Sequence, residues 1–198
     1  MRLLKIHRDT RGVTLIEFLM MLAILGIVIG GIYAFVVNGA ISASKTNDFL
    51  QTQSQIRSAL DNIVDESRWG QNVTAATATS VTIQMPGSTP YCGGGSYTVT
   101  FAYDSANKAI TRTASAPCNN PGTAVPLANL VVGAGGATGL TFSYFDGGNN
   151  AFGSTPTGAQ IVIIARVRAV VATTSGTVTR YLAGDAALRA CRNPSTAC

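Results

Sequence analysis

The 198-residue chain has room for one domain of about 100 to 150 residues plus an accessory segment, and too little length for a second large domain. Only 12% of the residues are charged against 46% hydrophobic, where a soluble average carries roughly 25% charge, so part of the chain is expected not to face water. The formal charge of +5 does not point to nucleic acid as a direct partner, because Arg2, Lys5, Arg8 and Arg11 against Asp9 put +3 of it in the first twelve residues.

The N-terminal third sets the class. No charge occurs from Phe18 to Val37, and the apolar stretch Val13 to Val37 makes a helix of about 37 Å at 1.5 Å per residue. That length crosses a hydrocarbon core of roughly 30 Å. Basic residues precede it and Lys45 is the next charge after Glu17, so the N-terminus is expected in the cytoplasm and the rest outside. A cleavable secretory signal is the alternative, with small residues at Ala40 to Ser44 as its cleavage site. Its apolar core runs to about 7 to 15 residues, well short of this one, and a retained anchor fits better.

Glu17 is out of place in such a segment, since an acid at the bilayer centre costs on the order of 3 kcal/mol. A local reading is available: Thr14 and Glu17 have the T-x-x-E spacing of a capping box, which bonds free backbone N–H groups at a helix start.

The run Arg11-Gly12-Val13-Thr14-Leu15-Ile16-Glu17, followed by an uninterrupted apolar helix, resembles the type III signal of type IV pilins. The resemblance implies a leader of residues 1–12, cut after Gly12 by a prepilin peptidase, with N-methylation of the new terminus Val13. Family members mostly carry Phe where this chain has Val13. Glu17 becomes the fifth mature residue and is implied to pair with the Val13 amine of a neighbouring subunit, each charge offsetting the desolvation of the other. Gly26 and Gly30 have the G-x-x-x-G spacing that lets helices approach closely, and Gly30-Gly31 is equally read as a local weak point. The segment 13–37 has no proline, so no proline kink is expected.

Past Val37 the pattern turns amphipathic. Phe49, Ile56, Leu60, Ile63 and Val64 fall at helical spacing, with Arg57, Asp61, Asp65 and Arg68 between them. The same helix is expected to continue through residues 38–70 in the periplasm and to end at Trp69-Gly70. Residues 71–198 then switch to short alternating runs broken by Gly, Pro, Ser and Asn. Strands are expected at Val81–Met85, Tyr97–Tyr103, Ile110–Thr113, Leu140–Phe145, Ile161–Val171 and Val178–Leu182, with turns at Asp104–Asn107 and Ser175-Gly176. Connections this short require antiparallel pairing. The fold class is therefore α+β: a long N-terminal transmembrane and amphipathic helix packed on an antiparallel β-sheet head, as in the type IV pilin-like fold.

Four cysteines, Cys92, Cys118, Cys191 and Cys198, all follow the apolar segment. An even set in an exported domain argues for two disulfides with three possible connectivities, and sequence order favours Cys92 with Cys118 and Cys191 with Cys198. Unpaired buried thiols are the alternative.

Enzymatic and ligand motifs are few. The only histidine, His7, lies in the leader, which leaves the mature chain without an imidazole for a Ser-His-Asp or Cys-His arrangement or for a metal. Gly133 to Gly139 has Thr138 in the third glycine position of G-x-G-x-x-G and reads as a flexible loop. Asp146-Gly147-Gly148-Asn149-Asn150 reads as a hairpin turn, with a calcium loop as the alternative that its single carboxylate disfavours. No catalytic residue, metal site or cofactor is expected.

Thr100–Asp104, Leu140–Asp146 and Leu188–Asn193 resemble segments of PilW-type minor pilins and of J-type pseudopilins of type II secretion. Together these readings imply a structural filament subunit: a minor pilin in pilus initiation or assembly, serving adhesion, twitching motility or DNA uptake. The alternatives are a type II secretion pseudopilin and a membrane-tethered binding domain that never polymerises. The partners implied are the prepilin peptidase, other pilin or pseudopilin subunits through the N-terminal helix, the inner-membrane assembly machinery and membrane lipid. The place implied is the inner membrane, with the head in the periplasm or outside, and then the filament.

Overall fold

The computed structural model of the chain describes residues 14–129, 139–175 and 178–189, except the side chains of Asp48 and residues 174–179. Its first element, α1, runs as one helix over Leu15–Ser67. By internal contacts the chain divides at Thr46/Asn47 into two units, so the last turns of α1 are counted with the strands that follow.

In the first unit α1 is apolar on every face. From Leu15 to Val37 all its large hydrophobic side chains are exposed, including Phe18, Ile27, Tyr33 and Phe35. Glu17 is the one charged side chain among residues 14–44. A helix hydrophobic all round is stable only where something other than water surrounds it, and this one is long and apolar enough to cross a membrane.

In the second unit α1 becomes one-sided. Ile56, Ala59, Leu60 and Ile63 are buried, following the i, i+3, i+4, i+7 stripe, while Arg57, Asp61 and Asp65 face solvent. Burying each large aliphatic side chain of that stripe contributes about 1.5–3 kcal/mol. The helix ends at Ser67, and the Trp69 and Gly70 N–H groups donate back to the Glu66 and Ser67 carbonyls at 3.1 and 2.9 Å. Gly70 is required at this corner: a Cβ there would stand 2.5 Å from the Ile83 Cγ2 atom and 2.9 Å from the Ser67 carbonyl oxygen.

Two antiparallel sheets follow. The first is a meander of β1 (Asn72–Ala76), β2 (Ser80–Met85), β3 (Tyr97–Asp104), β4 (Ala109–Ala114) and β5 (Ala124–Asn129), in that spatial order. The second has β6 (Gly139–Phe145), β7 (Ala151–Gly153), β8 (Arg166–Ser175) and β9 (Val178–Ala187), in the order β7-β6-β8-β9. Alternation places Val81, Ile83 and Met85 of β2, Tyr97, Val99 and Phe101 of β3, and Leu140, Phe142 and Tyr144 of β6 in one core with the helix stripe. The β1–β2 turn joins the sheets: the Tyr144 hydroxyl donates to the Thr77 carbonyl at 2.6 Å, and the Phe142 N–H to the Ala78 carbonyl at 2.8 Å. Burial of that phenol pushes the Tyr144 pKa up.

The antiparallel α+β architecture agrees with the sequence reading, and five of the six expected strands appear with their ends shifted by a few residues. The sixth, Ile161–Val171, is corrected. Residues 158–161 form a single helical turn, α2 (Gly158–Ile161), and the strand begins only at Arg166. The Thr157 N–H donates to the Gln160 side chain at 2.8 Å, a T-x-x-Q start signal that outweighs the short apolar run Ile161–Ile164. Strands β1, β5 and β7 were not expected. β1 has one buried residue, β5 contains Pro126 and pairs on one side only, and β7 has three residues, so none shows an alternating pattern. The Gly133–Gly139 stretch lies outside the described residues except for Gly139, as does Gly176 of the expected Ser175-Gly176 turn.

Candidate assembly site

The helix start has the geometry that its spacing predicts. The Glu17 N–H donates to Thr14 Oγ1 at 3.3 Å, and the Thr14 N–H and hydroxyl each donate to Glu17 Oε2 at 3.4 Å. These long, exposed bonds hold the carboxylate beside the free N–H groups of the first turn, where the helix dipole favours negative charge. Glu17 is thereby presented at the end of an apolar rod, ready to accept a stronger, charge-assisted bond from a cation brought alongside. Gly12 and Val13 lie outside the described residues.

Further along, Gly26 and Gly30 leave open space. A Cβ on either, or on Gly31, would meet nothing within 4 Å. No contact among the described residues demands glycine there, and the G-x-x-x-G spacing is one that lets a second helix approach closely. Helix dihedrals continue unbroken through both positions.

One family comparison finds its match in this segment: the model described as the prokaryotic N-terminal methylation motif matches residues 7–33. This chain carries a type IV prepilin signal. The match takes in Gly12, Val13, Glu17, Gly26 and Gly30, and supports membership of the prepilin-like family without distinguishing its subtypes. It implies processing by a prepilin peptidase and assembly with other pilin-like subunits. No curated protein matches the chain.

The strand-rich unit of the chain holds a polar cluster that the sequence reading missed. Glu66 is buried, and Arg112 grips its carboxylate in a two-pronged bond, Nε to Oε2 at 2.7 Å and Nη2 to Oε1 at 2.6 Å. The Tyr97 hydroxyl donates to the same Oε1 at 3.1 Å and sits 3.1 Å from the Thr89 hydroxyl. Arg112 is held above its ordinary pKa by Glu66, and Tyr97 is pushed up chiefly by burial. The cluster ties the last turn of α1 to the middle of the first sheet. Its signals were present in the sequence. Glu66 follows Ala59 by seven residues and so falls on the buried stripe, and Arg112 lies midway between Ile110 and Ala114, on the same inward face of β4.

Cys92 and Cys118 are joined in a disulfide, the pairing that sequence order favours, and Arg112 Nη2 lies 3.9 Å from Cys92 Sγ. Cys191 and Cys198 lie outside the described residues. The Asp146–Asn150 segment closes the β6–β7 hairpin as a turn. The Asn150 N–H and Nδ2 donate to the two oxygens of Asp146 at 2.8 Å each, which lowers the Asp146 pKa and leaves its carboxylate engaged. Among the described residues no three His, Cys, Asp or Glu side chains group as a metal site would require.

Proposed function

We propose that the chain is a non-enzymatic structural subunit of a type IV pilus-like filament, and within that class a minor pilin that acts in pilus initiation or assembly. The observation that carries this reading is the methylation motif over residues 7–33, which runs into a helix that exposes apolar side chains on every face. Cleavage after Gly12 leaves that apolar body whole. It can therefore lie in the inner membrane with the head outside, and later pack against copies of itself in a filament core. Glu17 then meets the free Val13 amine of a neighbour, a pair whose mutual attraction compensates for leaving water only when both charges are present. The head supplies no chemistry in this reading. Its helix stripe, disulfide and buried Glu66–Arg112 pair make it a firmly packed unit.

The test is the intact mass of the membrane-extracted protein from cells with and without the prepilin peptidase. Loss of Met1 to Gly12 only when the peptidase is present, with or without one added methyl group, is the expected result. An intact N-terminus in both strains would leave a tethered domain that does not polymerise. Filaments sheared from cells that make the processed protein then decide between pilus and secretion pseudopilus by which major subunit co-purifies.

A further inference from the structure

The positive charge of the head is unevenly placed. From residue 71 onward the chain has seven basic residues against three acidic ones, and Arg166, Arg168, Arg180 and Arg189 all fall on β8, on β9 or just beyond it. Three arginines, Arg68, Arg166 and Arg189, line one cleft of about 550 Å³ together with Trp69, Asp185 and Ala187. That volume lies in the range of small-molecule sites, and three guanidinium groups against one carboxylate give the walls an excess of positive charge.

Two of these arginines are held in place by rings rather than by acids alone. The Arg166 guanidinium stacks 3.8 Å over Phe145, and Arg189 lies 4.8 Å over Trp69. Arg166 donates to Asp185 at 3.1 Å, and its buried Nε has no hydrogen-bond partner among the described residues. Arg68, more than half exposed, spends one N–H on Asp65 at 3.2 Å. Arg189 has no acceptor among the described residues. The cleft thus gathers planar donors with unused bonding capacity, with Asp185 in its wall competing for Arg166 and Asp65 for Arg68.

We infer that this cleft binds a small multivalent oxyanion, one carrying phosphate or carboxylate groups, through Arg68, Arg166 and Arg189. Planar guanidinium forks match the paired oxygens of either group, and stacking has already removed part of the ordering cost of two of the three side chains. Every residue of the site belongs to the head of a single chain.

Isothermal titration of the detergent-solubilised full chain at constant ionic strength, with pyrophosphate and citrate as probes, tests this. One-site saturable binding of at least one probe is expected, and the tighter of the two identifies phosphate or carboxylate as the favoured group. Arg189→Gln and Arg68→Gln should each weaken it roughly tenfold. Asp185→Asn should tighten it, because it frees the arginine donors. Lys108→Gln, which removes the same charge in the exposed β3–β4 turn, should leave the Kd unchanged. Absence of saturation by either anion up to on the order of 10 mM overturns the inference. So does a Kd that shifts as much in Lys108→Gln as in the cleft variants, or one that none of the cleft variants moves by twofold. Arg68 is exposed enough that its variant folds, so a null result there cannot be assigned to loss of structure.

Discussion

Glu66 shows how a charged residue of an amphipathic helix can belong to its buried face. It stands among the charged Asp61, Asp65 and Arg68, yet it falls seven residues after Ala59 on the buried stripe, and its side chain is almost fully buried against Arg112 and Tyr97. Removing one partner of such a pair strands a charge in the interior. Arg112→Ala is therefore expected to lower head stability by about 3 kcal/mol, measured by denaturant unfolding. Glu66→Leu combined with Arg112→Leu should cost less than the two single changes added together. The buried phenols set a pH limit at the same scale. Tyr97 and Tyr144 have pKa values raised by burial, so the unfolded chain gives up these protons first, near pH 10. Their contribution is complete below about pH 10 and is lost as pH climbs toward the folded values. Thermal melts should show the midpoint falling above pH 10, with a shallower fall in Tyr144→Phe. Asp104 and Asp146 act in the opposite sense: their lowered values contribute stability that fades as the solution is acidified below about pH 4.

Among the elements, glycines have two different meanings, and the difference can be measured. Gly184 on β9 faces the helix so closely that a Cβ would stand 2.7 Å from the Val64 Cγ2 atom. Gly184→Ala should cost about 1–3 kcal/mol in head stability, because the branched Val64 side chain must shift against a packed stripe. Gly26→Leu and Gly30→Leu add side chains where nothing lies within 4 Å. Head melting should not respond to them, whereas incorporation into filaments, read by shearing and blotting, should fall. The elements legible in sequence were those with a period: the apolar run, the Ile56–Leu60–Ile63 stripe and the alternating strands β2, β3, β4 and β6. Those that escaped are defined by their neighbours. β5 becomes a strand because β4 offers it an edge, and β9 reaches Ala187 through Arg180, Gly184 and Asp185 because each pairs in register with a residue of β8. Hydrogen bonding to an existing edge stabilises an extended segment whatever its own propensity.

For the whole molecule, the disulfide and the N-terminal signal belong to the same topology. Cys92 and Cys118 close a loop across the first sheet with a sequence separation of 26, and reduction or Cys118→Ser should lower head stability by about 3 kcal/mol if loop entropy is the main term. Such a bond persists in an oxidising compartment, which fits the exported head of the proposed filament subunit. The sequence by itself determined an apolar segment long enough to cross a membrane, the methylation motif over residues 7–33 with Glu17 inside it, and the α+β class, because these rest on contiguous hydropathy and local spacing. Only the tertiary structure decided that Glu66 faces inward to Arg112, that α2 interrupts the run before Arg166, and that Arg68, Arg166 and Arg189 line one cleft. Each of those facts depends on which distant segments become neighbours, and sheet register and helix docking set that through many weak contacts at once.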